Sequence, residues 1–149
     1  MNAIPQKVPR GIRNNNPCNI RKSPTVWNGQ AADQNDAAFV VFRAPEFGLR
    51  AAMKIIRNYG AKYGLDTVSK VISRWAPDNE NDTGAYIAHV ARCMKVGADD
   101  GLDMSDADTL LSIVRAMTSQ ENGPAPADRG GDWYPDVTYQ TARRLYLAA

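Results

Sequence analysis

Three glutamates occur in the chain, Glu46, Glu80 and Glu121, and the last stands where a carboxylate is poorly served by its surroundings. In "AMTSQENGPAP", residues 116 to 126, Glu121 falls in the last turn of an expected helix that Gly123 and Pro124 end. Ala107, Leu110, Val114 and Met117 step by three and four, and one more step of four reaches Glu121, which puts its carboxyl group on the buried stripe. The negative end of the helix dipole and the loss of water both disfavour the ionised form, so the pKa should rise. A carboxyl group that keeps its proton near neutral pH can give it to a leaving oxygen, which is the task of the acid in glycoside cleavage. The same position also suits a plain helix-end residue bonded to a loop amide or an arginine.

Glycoside hydrolysis wants a second carboxylate, and Asp33 and Asp36 are the donors that the sequence offers. If neither reaches the cleft, the substrate's own acetamido and hydroxyl groups can complete an intramolecular cleavage; the sequence leaves both routes open. Glu46 follows Pro45 at a helix start, where a negative charge favours the exposed amides, so it reads as a stabiliser. Glu80, in the polar loop "DNEND", ranks third. Trp27, Tyr86 and Trp133 could stack on sugar faces, and Asn15, Asn16 and Asn19 could bond acetamido or backbone groups. Each also has an ordinary role, the aromatic residues in the core and the asparagines in turns. A single His89 and the separated Cys18 and Cys93 give no zinc spacing and no Cys–His signature, and no glycine-rich phosphate loop is present. No metal or cofactor is expected, and the cysteines read as free thiols.

The elements that must position these residues are mainly helical. Residues 9 to 42, rich in Asn, Pro and Gly between short apolar pieces, predict a small β-hairpin or three-stranded ribbon with "NGQ" as a turn. From Pro45, the positions Leu49, Ala52, Met53, Ile56, Tyr59 and Tyr63 share a helical face, interrupted by Gly60 and Gly64. A second helix runs from about Asp66 to Trp75, capped by Asp66 or Thr67 and stopped by Pro77. A third starts at Thr83 and is ended by Gly97. The helix carrying Glu121 opens on Ser105 and Asp108 in the manner of a capping box. A loop over "GPAPADRGGDWYP" and a closing helix over "VTYQTARRLYLA" complete the chain.

A length of 149 residues suits one compact, monomeric domain, and 44% hydrophobic with 23% charged residues is a globular composition. No apolar run approaches the ~18 residues of a membrane span, and "MNAIPQKVPRG" lacks the apolar stretch of a secretion leader, so synthesis in the cytoplasm is expected. Of the basic residues, Lys7, Arg10, Arg13, Arg21 and Lys22 lie within the first 30 positions, which hold no acid. This local patch could meet an anionic polymer, but a net charge of +2 argues against nucleic acid as a partner.

The strings "RGIRNNNPCNIR", "VWNGQ" and "FVVFRAPEFGLRAAMKIIRNYGAKYGLDTVSKVISRWAPDNENDTGAYIAHVARCMKVG" together resemble a family of phage and prophage proteins, labelled virion structural or lysozyme-like, over roughly residues 10 to 123. The most specific part is an Asn-Asn-Asn-Pro-x-Asn-Ile-Arg motif. Cys18 departs from the family pattern, in which Gly or another residue stands there, and no catalytic thiol is implied. A weaker similarity links the order of parts to glucosaminidases and lytic transglycosylases, where a helix ends in the catalytic Glu and an Asn-Asn segment opens a hairpin. Here that helix comes late, as "LLSIVRAMTSQENG", an order that circular permutation would produce.

The resemblance implies a mainly α, lysozyme-like helical domain with a small β-hairpin. It also implies a muramidase or lytic transglycosylase that cleaves the β-1,4 bond between N-acetylmuramic acid and N-acetylglucosamine in peptidoglycan, acting at the cell wall with Glu121 as acid. The rival expectation is a non-catalytic virion component that binds wall glycan or other phage particle proteins. The arrangement requires Glu121 to lie within about 10 Å of Asn14 to Asn16, because acid and sugar-binding segment must share one cleft.

Overall fold

The computed structural model describes residues 7–79 and 81–148. The chain is mainly helical, with α1 (Arg10–Arg13), α2 (Pro45–Tyr63), α3 (Val68–Trp75), α4 (Thr83–Met94), α5 (Ala107–Asn122), a 3-10 turn (Ala127–Arg129) and α6 (Asp136–Ala148). The stripe of α5 is the centre of the core: Leu110, Val114 and Met117 are fully buried, and the helix packs against α2, α4 and α6. Leu49, Met53 and Ile56 of α2, Val71 and Ile72 of α3, and Val90 of α4 join the same buried cluster. No helix among the described residues is long and apolar enough to cross a membrane.

The helix starts follow local chemistry. Thr67 accepts from Lys70 N and Asp82 from Ala85 N, each satisfying an amide that the first turn leaves without a partner. The start of α5 differs from expectation. Asp106 is the cap, accepting from Asp108 N, while Ser105 turns back to Asp103 and Asp108 pairs with Arg143 of α6. Two helix boundaries also shift. Helix α2 passes through Gly60, and α4 ends at Lys95, whose left-handed φ of 59° does what was expected of Gly97.

The expected β-hairpin is not formed as strands. Among the described residues it reduces to two isolated antiparallel bridges, Arg21 with Phe39 and Gln30 with Phe42, and the short helix α1 precedes it. Backbone bonds flank each bridge, Val40 N to Ile20 O and Ala31 N to Val41 O among them, and side chains supply further bonds around them. The Asn16 amide accepts from Ile20 N and donates to Ile20 O and Val40 O, and Gln34 donates to Ala31 O and Val41 O while accepting from Val41 N. Backbone groups bonded this way need no neighbouring strand. The start of α2 lies directly on this layer: a Cβ at Gly48 would stand 2.2 Å from Asn15 O, so only glycine permits the contact.

Candidate functional site

Glu121 emerges from the last turn of α5 into the layer formed by residues 14 to 42. Asn19 Nδ2 donates to Glu121 Oε1 at 2.9 Å, across 102 positions of sequence. Asn19 is aimed there by a left-handed backbone (φ 55°), a conformation that Asn tolerates better than most residues. The next residue of α5 anchors the same loop, since Asn122 Nδ2 donates to Pro17 O at 2.8 Å and to Thr118 O at 2.9 Å. A Cβ on Gly11 would fall within 3.0 Å of Asn122 Oδ1, Asn16 O and Asn19 Oδ1, so this glycine lets the three groups close together.

Burial raises the pKa of Glu121, and interactions with Asn19, Tyr86 and Trp75 only partly oppose it. Tyr86 is buried behind the carboxyl group, with its own pKa pushed well up by burial and by Glu121; its hydroxyl forms no closed hydrogen bond. The carboxyl group therefore favours its protonated form relative to a carboxyl group in water, for the desolvation reason inferred from the helix pattern.

One hollow opens beside it, and a second adjoins the first. One, of about 200 Å³, is lined by Glu121, Asn19, Arg21, Phe39, Trp75 and Asn81. The other, of about 260 Å³, shares Asn19, Arg21 and Trp75 and adds Trp27, Ile55 and Tyr59. Together they make a groove with aromatic walls and a single described carboxyl group. Aromatic faces beside convergent amides suit the apolar ring faces and polar edges of sugars.

The other expected residues divide between groove and scaffold. Trp27 and Asn19 line the groove, but Asn15 and Asn16 spend their amides on backbone carbonyls, Asn15 on Phe42 O. Trp133 is 7% exposed and donates to Gly123 O, holding the loop after α5 rather than facing the groove. Asp36 is fully engaged: Arg10 donates to both of its oxygens at 2.6 Å, and Asn14 and the amides of Ala38 and Phe39 add three more bonds. These partners, Arg10 first, hold its pKa well below the usual carboxylate range, so it is a structural anion. Asp33 is exposed and lines neither hollow.

Glu46 lies in the first turn of α2, as expected, and Glu80 lies outside the described residues. Cys18 is a buried free thiol whose pKa burial pushes far up, and Cys93 is exposed. No group of three metal-ligating side chains occurs among the described residues. Trp75, Tyr59, Phe39, Arg21 and Asn81 were not expected in the groove. Periodicity places Tyr59 on the shared face of its helix, and it cannot distinguish a core face from the wall of a cleft.

No family model matches the sequence. Over 120 residues the chain is 40% identical to "Protein P5" of Pseudoalteromonas phage PM2, an alignment that covers 78% of this chain and 73% of that protein.

Proposed function

The chain belongs to the family of Protein P5 of Pseudoalteromonas phage PM2, and we propose, from the surroundings of Glu121, that this phage protein acts on host cell-wall glycan. In this reading it is a lysozyme-like lytic transglycosylase or muramidase, cleaving the β-1,4 bond between N-acetylmuramic acid and N-acetylglucosamine with Glu121 as general acid. The observation that carries the reading is a desolvated Glu121 carboxyl group, oriented by Asn19, at the side of an aromatic groove.

Protonated Glu121 gives its proton to the glycosidic oxygen as the C1–O bond breaks, which leaves an oxocarbenium-like sugar and a Glu121 carboxylate. Asp36 is locked to Arg10 and Asp33 lies off the groove, so the intramolecular route is favoured over direct attack by water. The carboxylate takes the proton of the same sugar's 6-hydroxyl, whose oxygen bonds to C1. The product is a 1,6-anhydro end, and Glu121 is protonated again. Trp27, Tyr59 and Trp75 would hold the sugar rings by stacking.

Mass spectrometry of purified peptidoglycan digested by the protein tests this reading. Anhydro ends are expected, and Glu121→Gln should lower their release by at least ~10²-fold. Undiminished release by that variant would remove Glu121 from the mechanism. A second reading, a non-catalytic virion component that binds glycan, is supported by the phage relative, which calls for no catalysis. Wall binding without new sugar ends would establish it.

A further inference from the structure

Helix α2 presents a second surface that the groove does not use. Ile55 and Tyr59 face the groove, whereas Lys54, Arg57 and Asn58 line a separate hollow of about 420 Å³, closed by Ser105 ahead of α5 and by Tyr146 and Leu147 of α6. At 100° per residue the two sets point about 120° apart on the helix.

The lining of this hollow has two cations and no acid. Among the described residues neither Lys54 nor Arg57 joins an ion pair, whereas Arg10, Lys70, Arg115 and Arg143 each hold a carboxylate between 2.6 and 3.4 Å away. Of the acids next to Ser105 in sequence, Asp106 caps α5 and Asp108 pairs with Arg143, while Asp103 stands at the rim and accepts from the Ser105 hydroxyl. One turn earlier on the Lys54 and Arg57 side of α2, Arg50 lies behind the lining; it is 6% exposed and its Nε has no partner.

A guanidinium fork, an ammonium point charge and the neutral donors of Asn58 and Tyr146 match a tetrahedral oxyanion better than a planar carboxylate, which offers only two oxygens. The volume exceeds a bare phosphate and falls in the range of small-ligand sites. Leu147, 56% exposed, offers apolar contact to whatever carries the anion. We propose that this hollow binds a phosphate ester of the glycerol phosphate type, either free or as the headgroup of an anionic lipid. The site is separate from Glu121 and does not depend on the reading of the groove.

The test uses the full chain. Amide resonances are followed by NMR during titration with sn-glycerol 3-phosphate, and co-sedimentation is measured with phosphatidylglycerol and with phosphatidylcholine vesicles. Saturable shifts at Asn58, Ser105 and Tyr146 are expected, weakened at least fivefold by Lys54→Gln with Arg57→Gln and weakened by added salt. The single Arg57→Gln variant serves if the double variant melts early. Binding of the soluble ester identifies a free ligand, and sedimentation confined to phosphatidylglycerol vesicles identifies a headgroup; either supports the site if the variants abolish it. No saturable binding of either probe, unchanged binding by the variants, or equal sedimentation with phosphatidylcholine would overturn the proposal.

Discussion

Replacing Asn16 by alanine tests how the site is held. The side chain is fully buried, and its amide accepts from Ile20 N at 2.9 Å and donates to Ile20 O at 3.0 Å and Val40 O at 2.9 Å. Ile20 O keeps a second partner, since Val40 N donates to it at 3.0 Å. The truncation therefore orphans two backbone groups, Ile20 N and Val40 O. Each buried unsatisfied group costs ~1–3 kcal/mol, so Asn16→Ala should lose ~2–6 kcal/mol. That is a large part of the ~5–15 kcal/mol that holds a typical domain together. Urea unfolding followed by circular dichroism, with the slope compared between variants, measures the loss. Asn16→Asp makes a sharper comparison, because it keeps the acceptor for Ile20 N but turns a negative oxygen toward two carbonyl groups. It should be at least as damaging at pH 7 and recover partly on acidification, when the carboxyl group regains a donor. A loss below ~0.5 kcal/mol for Asn16→Ala would refute the claim that this amide satisfies those backbone groups.

Glu121 has a folded pKa raised above its ordinary value of 4.5, so its ionised form costs stability. The cost is absent below pH 4.5, builds as pH rises through the folded pKa and is complete above it. Glu121→Gln keeps the acceptor for Asn19 and should melt no earlier than the parent at pH 7.5, with any advantage gone below pH 4.5 in calorimetry. If the variant melts markedly earlier at pH 7.5, the ionised carboxylate is instead stabilising. Gly48→Ala would normally gain ~1 kcal/mol in a helix, but its Cβ would stand 2.2 Å from a backbone oxygen that cannot turn aside. A net loss of ~1–3 kcal/mol is expected in denaturant unfolding, and a stabilised variant would contradict the close approach of α2 to Asn15. Trp133→Phe removes the donor to Gly123 O and should cost ~1–3 kcal/mol, with faster amide exchange at residues 123 to 131 as the specific readout. Unchanged exchange there would mean that the indole does not hold the loop.

Much of the helical framework is legible in the sequence because its causes are local. The step of three and four through Leu110, Val114 and Met117 requires one buried face, and Thr67 and Gly64 mark helix ends through bonds that reach only a few residues. The helical pattern also carries Glu121 onto the buried stripe, and with it the direction of its pKa shift. Local choices fail where two nearby residues can do the same work. Asp106 rather than Ser105 caps α5, and Lys95 rather than Gly97 ends α4.

Local pattern is enough to mark a mainly helical chain, one out-of-place carboxyl group and a polar Asn-rich segment. Tertiary structure alone decided which asparagine meets that group: Asn19 reaches Glu121, while Asn14 and Asn16 hold Asp36 and Val40. It also withdrew Asp36 from the groove by pairing it with Arg10, and brought Trp75 and Tyr59 to the groove wall. The physical reason is range. Periodicity and capping act between residues a few positions apart, whereas the bond between Asn19 and Glu121 spans 102 positions and exists only once the core has packed.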